Sequence, residues 1–148
     1  MNLIEKIKQL REETGISISE CKKALEEAKG DLEKAKEILQ QKWQIFAEKK
    51  KERETKTGII EAYVHSNKKI GVILELYCES DFVAKHEEFQ KLAHELCLQV
   101  AAIPPEEQPL LEQNWIKDET KKIKDLINEY IAKFGEKIEV GKVYRCQI

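Results

Sequence analysis

Ile70-Gly71-Val72-Ile73-Leu74-Glu75-Leu76-Tyr77-Cys78-Glu79-Ser80-Asp81-Phe82-Val83-Ala84-Lys85 decides how the second half of this chain folds. Ile70, Val72, Leu74, Leu76 and Cys78 occupy alternate positions, the period of a strand with one buried face. From Ala84 onward the spacing changes. Phe89, Leu92, Ala93, Leu96 and Val100 recur every three or four residues and mark an amphipathic helix. Ser80 to Lys85 therefore turns a strand-to-helix corner and sets a carboxylate, Asp81, beside a large ring, Phe82. In one reading Ser80 or Asp81 caps the helix and Phe82 staples it to the sheet. In the other, Phe82 stays exposed until another protein covers it.

Upstream of this stretch, Ile60, Ala62 and Val64 alternate with Glu61, Tyr63 and His65, so 59–65 reads as a strand. Ser66-Asn67-Lys68-Lys69 is a polar turn, and the two strands form an antiparallel hairpin with one buried face. Downstream, Pro104-Pro105 breaks the helix. Leu110, Leu111, Trp115 and Ile116 fall in a connecting loop. Ile123, Leu126, Ile127, Tyr130, Ile131 and Phe134 mark a second helix, ended by Gly135. Ile138, Val140, Tyr144 and Cys146 give a last strand, with Gly141 as a bulge or kink. The order β-β-α-α-β predicts an α+β domain with a three-stranded antiparallel sheet, helices on one face. Its exposed edges invite pairing with a second copy through the last strand.

Residues 1–55 read differently. Leu3, Ile4, Ile7 and Leu10 form a helical stripe that stops at Thr14-Gly15. Ser17 caps a second helix, with Glu20 completing a capping box. Ile18, Cys21, Leu25 and Ala28 are its stripe. Gly30 ends it, and Asp31 caps a third helix carrying Leu32, Ala35, Ile38, Leu39, Trp43 and Phe46. Three short helices with tight turns resemble the ubiquitin-associated fold. Ile16 and Ile18 either dock on a partner or only close the bundle. Residues 47–57 are strongly polar with mixed signs, as in a solvated helix end or linker. The expected division is a three-helix domain with a helical linker, 1–55, and an α+β domain, 56–148.

Composition narrows the function. The chain has 148 residues, 41% hydrophobic and 36% charged, with net charge −2. A nucleic-acid binder depends on a basic excess, so none is expected as partner. No run approaches the ~18 apolar residues of a membrane span, and Glu5 with no apolar core behind it argues against a signal peptide. A cytoplasmic protein without membrane contact is expected. Cys21, Cys78, Cys97 and Cys146 form no CxxC pair and lie in apolar patterns, so all four are expected to be buried thiols. Lys22 and Lys23 could activate Cys21, but its place on the stripe favours a core role.

No phosphate-cradling GxxxxGK[ST], no GxGxxG and no GxSxG elbow is present. His86 and His94 are two helical turns apart, about 12 Å of rise, too far to share a metal without other ligands. His65 is expected to be solvated. Catalytic residues, metal ligands and cofactors are therefore expected to be none. A non-enzymatic adaptor, binding peptides or helices through the bundle, fits these observations.

A sharper expectation comes from resemblance. Leu10-Arg11-Glu12-Glu13-Thr14-Gly15, Cys21-Lys22-Lys23-Ala24-Leu25 and Gly30-Asp31 resemble the N-terminal signature of bacterial elongation factor Ts. Ser80-Asp81-Phe82-Val83-Ala84-Lys85 is similar to that family's central motif, with Ser80 where Thr is usual. Leu110-Leu111-Glu112-Gln113, Lys117-Asp118 and Gly135-Glu136-Lys137-Ile138 resemble its C-terminal end. Ile18, Ser19 and Glu20 stand where the family usually has a Met pair and Asp. Between Ala101 and Leu111 the chain passes almost directly to the closing segment, as in short members that act as homodimers, where a second copy supplies the missing half.

The resemblance implies nucleotide exchange on the GTPase elongation factor Tu, with binding to its GDP-bound and nucleotide-free forms. Ser80, Asp81, Phe82 and Val83 would then be partner-binding. Phe82 would be a wedge near the switch region, and Asp81 would weaken the hold on magnesium and phosphate. Arg11, Ile16 and Ile18 would dock on the nucleotide-binding domain.

Overall fold

The computed structural model describes residues 1–148. Helix α1, Leu3–Thr14, begins at Asn2, which forms a full capping box with Glu5, and ends at Gly15 in the left-handed conformation (φ 72°). In α2, Ile18–Glu27, Ser17 accepts from the Glu20 N–H, but the Glu20 side chain makes no return bond to the Ser17 N–H, so the expected capping box is only half formed. Asp31 caps α3, Leu32–Lys50, accepting from the N–H groups of Glu33 and Lys34. Leu10, Cys21, Ala24, Leu25, Ala28, Ala35, Leu39 and Trp43 form the core of this bundle.

The rest is built on strands β1, Thr57–Val64, β2, Ile70–Cys78, and β5, Glu139–Gln147, in the antiparallel order β1-β2-β5. A one-turn helix α4, Asp81–Ala84, leads into α5, Glu87–Ala102, and α6 spans Ile123–Phe134. Helix α5 packs on one sheet face. Val72, Leu74, Leu76 and Cys78 meet Phe89, Leu92, Leu96 and Val100 there, with Ile123, Leu126 and Ile131 of α6 in the same cluster. The α+β architecture, the bundle and the three-stranded antiparallel sheet agree with the sequence reading.

Three details depart from it. First, Ile60, Ala62 and Val64 point outward, and Ile59 and Tyr63 pack toward the core. Directly opposed residues share a face. Ile59 pairs with Leu76 and Tyr63 with Val72, so the buried set of β2 fixes the face of β1. Second, the expected loop at 110–116 contains a short 3-10 turn, Leu110–Glu112, and a small hairpin of β3, Asn114–Trp115, and β4, Asp118–Lys122. Third, Cys146 is exposed because β5 turns it to the outer sheet face, while the other three thiols are buried. The bulge expected at Gly141 is present. Leu74 opposes Val143 and Leu76 opposes Val140, so Glu75 faces two residues of β5.

The path from α5 to α6 is short and stitched from within. Gln99 and Gln113 are both fully buried. The Gln99 amide donates to Gln113 Oε1 and to the Asn114 carbonyl, both at 3.0 Å, and its own oxygen accepts from the Ile116 N–H at 2.9 Å. Gln113 donates to the Gln108 carbonyl at 2.7 Å. Two side chains thus meet the polar needs of a turn that lies against the core.

The bundle and the sheet layer share material. Phe46 and Ala47, near the end of α3, pack on the sheet-side cluster, and Ala132 of α6 packs on the bundle core. No helix is long and apolar enough to cross a membrane.

Candidate functional site

The corner after β2 is the best-defined exposed feature. Phe82 is 80% exposed, and its neighbour Val83 is 3% exposed. The alternation is a consequence of the single turn of α4. Val83 and Ala84 insert into the core cluster, which directs Phe82 to solvent. Phe82 therefore does not staple the helix to the sheet; Val83, one position on, packs against the core instead. Of the four motif residues expected at a partner surface, Val83 is the one whose side chain is covered by the chain's own core.

Three separate elements fasten this corner. Ser80 caps α4, its hydroxyl accepting from the Val83 N–H at 3.3 Å. The same hydroxyl donates to Glu136 Oε2 at 2.6 Å. Glu136 Oε1 accepts from the N–H groups of Glu79 and Ser80, each at 3.0 Å. In return, the Lys137 N–H donates to the Glu79 carboxylate. Arg53, in the segment after α3, bonds the other oxygen of Glu79 at 3.2 Å. Asp81 is exposed, and its Oδ1 accepts from the Thr57 hydroxyl at 2.8 Å. Beneath lies Cys78, whose thiol is pushed up to about 11 by burial, with the Glu136 charge adding to the shift.

The second candidate surface is the α1–α2 loop. Arg11 is exposed, Ile18 is 53% exposed and Ile16 is half-buried. Thr14 holds the loop from inside. Its hydroxyl donates to the Leu10 carbonyl at 2.7 Å and accepts from the Ile16 N–H at 3.3 Å. Cys21 backs it with a long contact to the Ile16 carbonyl, and burial raises its thiol pKa. That agrees with a core role rather than an activated nucleophile.

Lys133, near the end of α6, lies between these two surfaces. It lines a depression with Gly15, Ile16 and Ser17, and a second depression with Phe82, His86 and Glu136. A Cβ on Gly15 would sit 2.2 Å from Lys133 Cε, so glycine allows the lysine stem to pass. The loop and the Phe82 corner thus flank the C-terminal end of one helix.

The histidines serve locally. His86 caps α5 through Nδ1, which accepts from the Glu88 N–H, and its ring meets Phe134 edge-on at 5.1 Å. His65 Nδ1 lies 2.8 Å from the Tyr63 hydroxyl, and His94 packs edge-on to Tyr63 at 5.9 Å.

Sequence reasoning missed Glu136, Thr57 and Arg53 as supports of the corner. Each is separated from it by 24 or more residues. For Glu136 the signs were its place in the Gly135-Glu136-Lys137-Ile138 motif and Gly135 itself, which ends α6 in the left-handed conformation (φ 69°) and so turns Glu136 back toward the corner.

A family described as Elongation factor TS matches residues 79–148, and one described as UBA-like domain matches residues 1–42. The chain is 45% identical to an elongation factor Ts of Thermotoga maritima, over 96% of this chain and 94% of the relative. It is 41% identical to one from Thermodesulfovibrio yellowstonii, with 96% and 94% covered. It is 38% identical to one from Oleidesulfovibrio alaskensis, with 96% and 95% covered. The first of these alignments runs over 186 positions, more than the 148 residues here, so that relative contains stretches with no counterpart in this chain.

Proposed function

The chain belongs to the elongation factor Ts family and acts in translation elongation, and from that premise we propose that it is a guanine nucleotide exchange factor for elongation factor Tu. The observation that carries the reading is Phe82, a large ring held in solvent at a corner fastened by three elements. An exposed ring with no partner in its own chain is suited to become an interface hot spot.

Exchange makes and breaks no covalent bond, so it calls for no acid, base or nucleophile, and the protein is not an enzyme in that sense. It calls for differential binding. If the factor binds nucleotide-free elongation factor Tu more tightly than the GDP-bound form, GDP must weaken the factor by the same amount. Each ~1.4 kcal/mol of that coupling is about tenfold. In this reading Phe82 wedges near the switch region. Asp81 keeps one oxygen on Thr57 and presents the other to the partner, weakening its hold on magnesium and phosphate. Ser80 and Val83 set the pose of the ring. Arg11, Ile16 and Ile18 dock the bundle on the nucleotide-binding domain. Such a protein works in the cytoplasm.

Release of labelled GDP from elongation factor Tu tests this. The chain accelerates release, and Phe82→Ala lowers that acceleration by about 30-fold or more, the effect of losing ~2 kcal/mol at a hot spot. The variant keeps its melting temperature, because the ring contributes little to the core. No acceleration by the native chain removes the exchange reading. Full activity in Phe82→Ala removes the wedge.

We further infer a homodimer. Ile60, Val64, Ile73 and Tyr144 are exposed together on the outer sheet face, opposite the α5 layer. Contiguous apolar area of this kind is suited to association. Sedimentation equilibrium at micromolar concentration gives a mass of two chains, and Ile73→Lys gives one. A single-chain mass for the native protein refutes the dimer.

A further inference from the structure

We propose that Glu136 is a positioning residue for exchange, holding Phe82 in its active pose through Ser80. This rests on the reading of Phe82 as the partner-contacting tip and goes beyond it to a residue 54 positions away.

The geometry is specific to a carboxylate. Ser80 has one proton to donate and lone pairs to accept. Its proton goes to Glu136 Oε2 at 2.6 Å, which turns an acceptor lobe toward the Val83 N–H at 3.3 Å. That second bond starts α4, the single turn carrying Phe82. The other oxygen of Glu136 holds the N–H groups of Glu79 and Ser80. Bonds to an ionised acceptor are the strong ones. The one turn of α4 has only two i to i−4 backbone bonds, from the Ala84 N–H to the Ser80 carbonyl and from the Lys85 N–H to the Asp81 carbonyl, both at 3.1 Å, and Val83 and Ala84 anchor it to the core; the Ser80 cap fixes its free N-terminal side, where Phe82 stands. Glu136 itself is fixed, because it follows the left-handed Gly135 that ends α6. Helix α6 also carries Lys133, which runs against Gly15 in the α1–α2 loop. Through Glu136 the spacing between the corner and that loop is set by one rigid helix. Without it the ring keeps its exposure but loses its fixed direction.

Glu136→Ala removes all three bonds. Glu136→Gln removes one requirement, since an amide nitrogen in place of Oε2 cannot accept the Ser80 proton and competes as a donor for the hydroxyl. The experiment measures labelled GDP release from elongation factor Tu over a range of factor concentrations. The expected result is a maximal rate about tenfold lower in Glu136→Ala. The concentration for half-maximal rate changes little, because the bundle contacts remain. Glu136→Gln falls between the two. In the Phe82→Ala background, adding Glu136→Ala costs nothing further, because both act through one ring; independent effects would add.

Circular dichroism and thermal melting identify the folded fraction. If Glu136→Ala does not fold, Glu136→Gln carries the same comparison. Native maximal rates in both variants overturn the proposal, as does a loss that adds fully to that of Phe82→Ala. The exchange reading survives those outcomes so long as the native chain accelerates release, and the wedge survives them so long as Phe82→Ala lowers that acceleration. It fails separately if the native chain is inert.

Discussion

Cys78 and Cys97 carry a pH dependence that follows from where they sit. Burial pushes the Cys97 thiol up to about 12 and the Cys78 thiol up to about 11, from an ordinary 9.0. Both resist ionisation in the folded chain and ionise at the ordinary value once unfolded. Their contribution to stability is therefore complete below about pH 9. It is lost as pH rises from there through 11 to 12. Denaturant midpoints measured from pH 8 to pH 11 should hold to about pH 9 and fall beyond it, and replacing both thiols with alanine should flatten the decline. The sequence placed these thiols correctly because each lies in an apolar pattern, the strict alternation of β2 for Cys78 and, for Cys97, a place directly after Leu96 of the α5 stripe. It misplaced Cys146, whose strand has apolar residues on both faces. Periodicity shows that a residue shares a face with others. It does not show which face meets the core.

Element by element, the helices were more legible than the strands. Gly15, Ser17, Asp31 and Gly135 mark helix ends by local chemistry, and the local chemistry holds in the structure. The face of β1 depends instead on its register with β2, a contact between strands that the sequence of β1 alone does not encode. The small β3–β4 hairpin was missed because its strands are short and polar, with no alternation to detect. Its anchor is Gln99, sixteen residues back from Trp115 on α5. Register also accounts for Gly58, which lies opposite Tyr77. A Cβ there would meet the Leu76 carbonyl oxygen at 2.3 Å and Tyr77 Cα at 2.9 Å, both backbone atoms that cannot swing away. Gly58→Ala should cost about 1–3 kcal/mol, the range for forcing atoms into a packed site. Urea titration checks this, with Gly71→Ala as the comparison, since a Cβ there meets only a carbonyl at 3.9 Å.

At the scale of the molecule, the two hydrophobic clusters support a division into units 1–55 and 56–148, which we propose as the domains. The corner that carries Phe82 shows why a site can be half visible. Its apex, Ser80 to Lys85, stands in the sequence as a motif. Its supports come from three distant places, Thr57, Arg53 and Glu136, and only folding brings them together.

Helix α3 has a thermodynamic consequence. It is one uninterrupted run of 19 residues, with Leu39 and Trp43 in the bundle core and Phe46 and Ala47 against the sheet-side core. Ala132 of α6 makes the reverse crossing. Melting the bundle would strip cover from the sheet-side core, and melting the core would remove a wall from the bundle. A bundle this small is marginal by itself. Its folding free energy is therefore borrowed from its neighbour. Calorimetry should record one endotherm, with calorimetric and van't Hoff enthalpies equal. Phe46→Ala should split it into two, the bundle transition first.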